Sequence, residues 1–104
     1  MLTVHVIFNA HLDPIWLWPW HAGIDEALST CRSACERLDA NPDVCFSQGE
    51  AWVYHQVERL DPGLFKRIRE HIAAGRWDLG FICISLKNGT EHFFPVNYLL
   101  TSHY

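Results

Sequence analysis

The residues best suited to chemistry concentrate in the segment AHLDPIWLWPWH, residues 10–21. His11 and Asp13 come directly after the apolar run VHVIFN, which predicts a β-strand. In an extended chain, residues i and i+2 face the same side, so an imidazole nitrogen and a carboxylate oxygen can converge on one point. These donors suit a zinc ion, although at least one further ligand is needed. The alternative is a surface histidine followed by an aspartate that opens a turn into Pro14.

Three tryptophans, Trp16, Trp18 and Trp20, follow this pair. Aromatic faces beside a few polar groups suit a sugar, because its C–H face can lie on an indole ring. The alternative is packing beneath a sheet, which we expect for at least one of the three. Glu50, after a second predicted strand, is a candidate pocket carboxylate. The alternative for Glu50 is a helix-entry residue that the helix dipole favours.

The elements that must position these residues alternate between strand and helix. Apolar runs predict strands at 4–9, 44–47 and 76–79, and amphipathic stripes predict helices at 24–38 and 51–60. A third helix should be capped by Asp61, begin at Pro62 and end at Gly75. This order predicts parallel strands with right-handed crossovers, which bind ligands at their carboxyl ends.

The sequence also predicts the burial and the placement of individual residues. The first strand reads as the parallel-sheet type that is buried on both faces. Asp25 and Glu26 should lie in the first turn of the first helix, where acidic residues suit the dipole. Among the other histidines, we expect His5 inside the fold, and His55 and His71 solvated on helices.

Composition excludes several classes of protein. The 104 residues carry 8 Lys and Arg against 12 Asp and Glu, a net charge of −4, which argues against nucleic-acid binding. Apolar residues make up 49%, which argues against disorder. No apolar run is long enough for a membrane span, and the early strand leaves no room for a signal peptide, so we expect a cytoplasmic protein. The four cysteines form no CxxC pair and are expected to be reduced, buried thiols.

VHVIFN followed by AHLDPIWLW resembles the start of the catalytic domain of glycoside hydrolase family 38 α-mannosidases. The segment FSQGEAWVYHQVERLDPGLFKRIREHIAAGRWDLG also agrees with the family, and the HxDPxW core is the specific part of the resemblance. It implies an α/β fold in which residues 1–80 form the first two to three β/α units of a seven-stranded parallel barrel. It also implies that His11 and Asp13 are ligands of a Zn²⁺ ion and that Trp16 packs against the sugar of an α-mannoside or oligosaccharide substrate.

The resemblance further implies a retaining hydrolysis, in which an aspartate nucleophile forms a covalent mannosyl intermediate and zinc holds the sugar hydroxyls. In the family the nucleophile, the acid/base and the remaining ligands lie downstream. We therefore expect no catalytic residue here, and a truncated N-terminal fragment that is inactive alone. Residues 81–104 do not match the family, and this tail should be either a β-hairpin, which Asn88-Gly89 favours, or a poorly ordered segment. A partial barrel exposes a sheet edge, so we expect self-association.

Two other functions remain open. A zinc-dependent deacetylase-like hydrolase has a similar His-x-Asp-Asp loop, but here Pro14 stands where its second acidic residue would be. A non-catalytic carbohydrate-binding module would use the tryptophans and need no metal. Zinc binding distinguishes this module from both hydrolases.

Overall fold

The computed structural model describes residues 1–13 and 16–79, together with the strand backbone of residues 84–87 and 90–93. The elements alternate between strand and helix before ending in two further strands. In chain order they are β1 (Phe8–Asn9), α1 (Trp20–Ala40), β2 (Phe46–Ser47), α2 (Ala51–Leu60), α3 (Pro62–Ala73), β3 (Trp77–Asp78), β4 (Ile84–Lys87) and β5 (Thr90–Phe93).

The first three strands form a parallel sheet in the order β1-β2-β3. Phe8 pairs with Phe46, which pairs with Trp77, and the next row joins Asn9, Ser47 and Asp78. The predicted parallel α/β arrangement is therefore confirmed, although the three described parallel strands form an open sheet rather than a closed barrel. β4 and β5 pair antiparallel. The predicted turn at Asn88-Gly89 and the rest of the tail lie outside the described residues.

The three helices pack against one face of this sheet. Side chains alternate along a strand, so Phe46 and Trp77 face the helices while Asp78 is exposed on the other face. The Phe46 and Trp77 rings meet edge to face, with centroids 4.7 Å apart. The core joins the sheet to all three helices. Its buried members are Ala27, Cys31, Ala34, Cys35, Leu38, Phe46, Val53, Tyr54, Val57, Leu64, Phe65, Ile68, Trp77 and Leu79.

Helix α1 is longer at both ends than its apolar stripe predicts. It begins at Trp20, directly after Pro19, and ends at Ala40. Proline has a fixed φ and needs no N–H partner at a helix start, so Pro19 ends the loop without blocking the helix. Because the helix starts four residues before the predicted Ile24, Asp25 and Glu26 lie beyond its first turn, and that prediction was wrong.

Helices α2 and α3 follow the sequence pattern closely. The predicted bounds of α2 are confirmed, and α3 begins at Pro62 behind Asp61. Asp61 Oδ1 accepts the Leu64 N–H at 3.0 Å. This bond, assisted by Arg32, lowers the pKa of the Asp61 carboxyl. Gly75 follows the last turn of α3 with φ of 71°, the left-handed conformation that glycine adopts without strain.

The first strand differs from its prediction. Only Phe8–Asn9 pairs as a strand, and Val4, Val6 and Ile7 are exposed rather than buried on both faces. β1 lies at the edge of the sheet, and within the described residues β2 is its only strand neighbour. Apolar, β-branched residues favour a buried strand. Whether the strand is buried depends on which other elements cover it.

Three further expectations were wrong. His5 is exposed, and so is Cys45. His71 is buried, and its Nε2 lies 2.9 Å from Asp39 Oδ1. Arg67 binds the other oxygen of Asp39 at 2.7 Å, so these three residues form a polar cluster between α1 and α3. This contact joins residues far apart in sequence, which local patterns do not reveal.

The Arg76 guanidinium binds the carboxyl end of α1 and the loop after it. Its Nη2 donates to the carbonyl oxygens of Leu38 at 2.7 Å and Asn41 at 2.5 Å, and its Nε donates to Val44 at 3.3 Å. A cation favours the negative end of the helix dipole, and a planar guanidinium can serve several acceptors at once. Arg76 therefore fixes the chain reversal that leads from α1 into β2.

We expect Arg76→Ala to lower the free energy of unfolding by about 2 kcal/mol, since several charge-assisted hydrogen bonds are lost. Arg76→Lys should recover only part of this loss, because an ammonium cannot reproduce the fork of donors. Urea denaturation measures both variants, and Lys66→Ala, at an exposed position of α3, is the control. Equal midpoints for Arg76→Ala and Lys66→Ala would contradict this role.

The exposed apolar residues around β1 predict self-association of the chain. Leu2, Val4, Val6 and Ile7 present an apolar edge to solvent, and such an edge promotes pairing with other chains. Sedimentation velocity should show larger species as the protein concentration rises, and Val6→Lys should reduce them. Leu60→Lys, at an exposed position of α2, is the control. A monomer at every concentration, or an equal effect of both variants, would contradict the prediction.

Candidate metal site

The residues that follow β1 and β2 lie side by side at the carboxyl edge of the sheet. The parallel ladder continues past the strand ends, because the Ala10 N–H donates to the Ser47 carbonyl at 3.4 Å. The Gln48 N–H donates in the same way to the Asp78 carbonyl at 3.0 Å. The chain after β1 is therefore held beside the turn that joins β2 to α2.

His11 lies between two carboxylates. Its Nε2 is 3.1 Å from Asp13 Oδ1, and its Nδ1 is 3.0 Å from Glu50 Oε1. The side chains of His11 and Asp13 thus converge, as the i, i+2 spacing predicts. The His11 side chain is 74% exposed, that of Asp13 51% and that of Glu50 26%. Glu50 is therefore the more enclosed of the two carboxylates.

Glu50 is fixed by a second contact. Gln48 Nε2 donates to Glu50 Oε2 at 2.5 Å, so the two carboxylate oxygens serve two different donors. Glu50 occupies the N-cap position of α2, as the helix-entry alternative requires, but its side chain caps no helix N–H. The carboxylate points instead to His11 and Gln48.

Gln48 connects this edge to the core. Its side chain is fully buried, and Oε1 has no hydrogen-bond partner in the described part of the chain. The Tyr54 hydroxyl donates to the Gln48 carbonyl and accepts a hydrogen bond from Trp77 Nε1 at 2.9 Å. Sequence reasoning missed Gln48, Tyr54 and Trp77, because no local spacing relates a strand-end glutamine to a tyrosine on the next helix and a tryptophan on the next strand.

The donors of His11 and Asp13 fit part of a zinc site. Two ligands about 2.1 Å from a tetrahedral zinc ion lie about 3.4 Å apart. His11 Nε2 and Asp13 Oδ1 form a hydrogen bond of 3.1 Å, so the two donor atoms already lie within a few tenths of an ångström of that spacing. Over residues 1–13 and 16–79, no group of three His, Cys, Asp or Glu side chains is arranged to hold one metal ion. The described site therefore offers two ligands, because Glu50 faces the other nitrogen of the ring.

The tryptophans are open to solvent. Trp16 is 67% exposed, and Trp18 and Trp20 are also exposed. A groove of about 540 Å³ lies elsewhere, between β1, the loop before β2 and α1. Its lining includes Phe8, Ser33 and Phe46 but not His11, Asp13 or Trp16. Close approach of Trp16 to a cavity at the candidate site thus stays a prediction.

The cysteines on α1, Cys31 and Cys35, are buried. Burial raises the pKa of the Cys31 thiol to about 12 and that of the Cys35 thiol to about 11. These thiols therefore stay protonated near neutral pH and pack as small apolar side chains. Cys45 is exposed, and Cys83 lies outside the described residues.

Comparisons with known proteins agree on one family. Residues 1–82 match the model described as the glycosyl hydrolases family 38 N-terminal domain. Alpha-mannosidase 2C1 of Homo sapiens is 28% identical over 75 residues, which are 72% of this chain and 7% of that protein. Alpha-mannosidase G of Dictyostelium discoideum is 24% identical over 74 residues, which are 71% of this chain and 7% of that protein. The chain thus spans a small part of these relatives.

The Tyr54 hydroxyl bonds connect the core to the carboxyl edge of the sheet, so removing this hydroxyl should destabilise the protein. Tyr54→Phe leaves the Gln48 carbonyl and Trp77 Nε1 without this partner, which should destabilise the protein by about 2 kcal/mol. In the Tyr54→Phe background, Trp77→Phe should cost about 1 kcal/mol less than in the wild type. Thermal or urea unfolding of the wild type, the two single variants and the double variant measures this coupling. Strictly additive losses of unfolding free energy would contradict a bond between the two side chains.

Proposed function

Because the chain belongs to the glycosyl hydrolase family 38 N-terminal domain family, we propose that it forms the part of a metal-dependent α-mannosidase that holds zinc and contacts the sugar. The family is metal-dependent, and the proposal gives His11 and Asp13 the role of two zinc ligands. The observation that supports it most directly is the 3.1 Å approach of His11 Nε2 to Asp13 Oδ1 at the carboxyl edge of a parallel sheet. Ligands of α/β sheets bind at this edge.

His11 would bind through Nε2, because its Nδ1 faces Glu50. Asp13 would supply a carboxylate oxygen and neutralise part of the metal charge. When bound, zinc would act as a Lewis acid that holds the sugar hydroxyls. Two protein ligands are fewer than the three of ordinary catalytic zinc sites, so uptake by this polypeptide alone should be weak.

Trp16 is proposed to bind the sugar. It lies three residues after Asp13 and exposes two-thirds of its surface, so its ring can receive the C–H face of a mannoside. Such a contact would hold the sugar beside the metal and exclude water from one of its faces. The substrate class, α-mannosides, is part of the proposal, as is the cytoplasmic location.

Hydrolysis by the 104-residue polypeptide alone is not expected. A retaining glycosidase needs two carboxyl groups about 5–5.5 Å apart, one as nucleophile and one as acid/base. In this proposal Asp13 is a zinc ligand and Glu50 is bonded to His11, so neither is free for these roles. The residues of this chain would bind and orient, and they would perform no bond cleavage by themselves.

A sugar-binding module without metal is the second candidate. The exposed rings of Trp16 and Trp20 favour it, because such rings can hold a sugar without a metal. The two candidates differ in one respect, since only the first predicts that His11 and Asp13 bind zinc.

We expect isothermal calorimetry to detect weak zinc binding by the wild-type chain, and His11→Ala to weaken it at least about tenfold, or 1.4 kcal/mol. Asp13→Asn should act in the same direction, since an amide is a poorer zinc ligand than a carboxylate. His55→Ala, at an exposed histidine of α2, is the control and should leave binding unchanged.

The same samples separate the alternatives. Nitrophenol release from a nitrophenyl α-mannoside should stay at background for every variant. Sugar binding without zinc uptake would support the module and contradict the metal site. Hydrolysis that His11→Ala abolishes would contradict the expected inactivity of the isolated chain.

A further inference from the structure

We propose that the groove beside β1 is the interface of a twofold-symmetric dimer. In this dimer a second copy of the chain lies with its α1 antiparallel to α1 and its β1 antiparallel to β1. The proposal is independent of the metal site, because His11 and Asp13 do not line the groove.

The groove lies along one flank of α1. The opposite flank packs toward α3, where Arg32 binds Asp61 at 3.1 Å and Asp39 binds Arg67 at 2.7 Å. Four other residues of α1 recur at spacings of three and four, so they share the flank that α3 does not occupy. All four line the groove, and they are Glu26, Thr30, Ser33 and Arg37.

The floor of the groove is an apolar surface of the edge strand. Phe8 pairs with the buried Phe46 and faces the same side of the sheet, yet more than half of its own surface is exposed. Because side chains alternate along an extended chain, Val6 and Val4 continue this side, and both are exposed. An apolar strip of this kind favours a partner that removes it from water.

The backbone of β1 also has a free edge. Ala10 donates its N–H to Ser47, after β2, and the backbone groups of a strand alternate in direction. The N–H and C=O of Asn9, and of Ile7 in the extended chain before it, therefore point away from β2. Within the described residues, β2 is the only strand beside β1. An antiparallel copy of β1 would pair these groups and join the two sheets into one, with the helices of both copies on the same face.

The charges along the groove flank of α1 are complementary to those of a second copy. Glu26 and Arg37 lie three helical turns apart, about 16 Å at 1.5 Å per residue. Glu26 Oε1 accepts the Thr30 hydroxyl at 3.3 Å. Arg37 Nε donates to Ser33 Oγ at 3.4 Å, and neither charge has an ion-pair partner in the described part of the chain. A twofold axis beside Thr30 and Ser33 places each Glu26 against the Arg37 of the other copy.

The same charges select the antiparallel arrangement. Parallel α1 helices would place Glu26 beside Glu26 and Arg37 beside Arg37, and like charges across an interface repel. A twofold interface uses the same patch on both copies, so association stops at the dimer. The short hydroxyl side chains at the axis allow the two helices to approach closely.

Charge reversal tests the two ion pairs. Glu26→Arg and Arg37→Glu should each raise the dimer Kd at least about tenfold, because each replaces both ion pairs with like-charge contacts. Sedimentation equilibrium of the full chain measures this Kd. Glu70→Arg and Lys66→Glu make the same changes at exposed positions of α3 and should leave Kd within about twofold of the wild type. Equal Kd values for Glu26→Arg and Glu70→Arg would overturn the proposal.

A mixture of the two α1 variants tests the symmetry itself. Glu26→Arg carries two positive charges along the flank and Arg37→Glu two negative ones, so each alone should dimerise poorly. Together they should form a heterodimer in which both ion pairs return, and native mass spectrometry separates it from the homodimers by mass. The double variant Glu26→Arg/Arg37→Glu should also regain the wild-type Kd. A mixture as monomeric as its components would overturn the proposal.

The strand pairing has its own test. Ile7→Pro removes an N–H from the outer edge of β1 and should abolish the dimer. Ile7→Thr keeps both the N–H and a β-branched side chain and should retain it. Equal Kd values for these two variants would overturn the pairing of β1 with β1.

Measurements on the wild type guard against misfolding of a variant. The wild-type Kd should rise with sodium chloride concentration, because salt screens ion pairs near the surface. A Kd independent of salt would overturn the ion pairs. Growth beyond the dimer would indicate head-to-tail association, and a monomer at every concentration would assign the groove to a different polypeptide; either result overturns the proposal.

Discussion

The organisation of the carboxyl edge of the sheet depends on the hydrogen bonds of the Tyr54 hydroxyl. This hydroxyl accepts a hydrogen bond from Trp77 Nε1 and donates to the Gln48 carbonyl, so it joins β3, α2 and the end of β2 inside the core. These groups are buried, and pairing offsets the cost of removing buried polar groups from water. The position of Gln48 is therefore set by the core, and Gln48 in turn holds Glu50 beside His11.

Burial at this site decreases outward from the core. Gln48 is fully buried, Glu50 is largely enclosed, and the His11 side chain is mostly exposed. Each side chain is fixed by the more buried one behind it. In the proposed site, this arrangement would place an exposed ligand on a buried support, and a metal ligand with a fixed partner loses less freedom on binding. Trp16 is exposed, so its proposed contact with sugar rests on its position three residues after Asp13.

Sequence patterns predicted the elements that are stabilised by contacts between residues close together in the chain. The bounds of α2 and the Asp61 cap of α3 follow from apolar spacing and capping chemistry. The predictions that were wrong concern residues whose environment depends on parts of the chain far away in sequence. His71 is buried where α3 packs against α1 and pairs there with Asp39, and β1 is exposed because its burial depends on elements beyond the strand itself. At the site, the spacing of His11 and Asp13 predicted their convergence, and the strand end predicted Glu50, but the link through Gln48 and Tyr54 depends on tertiary contacts.

The central claim is that His11 and Asp13 form the beginning of a zinc site on a support that the core fixes. X-ray absorption at the zinc edge of the metal-loaded chain tests it most directly, because it identifies the ligands themselves. The account predicts a nitrogen or oxygen shell at about 2.0–2.1 Å with the outer scattering of one imidazole, which disappears in His11→Ala and persists in His55→Ala. Imidazole scattering that survives in His11→Ala, or a wild-type spectrum without it, would contradict the account.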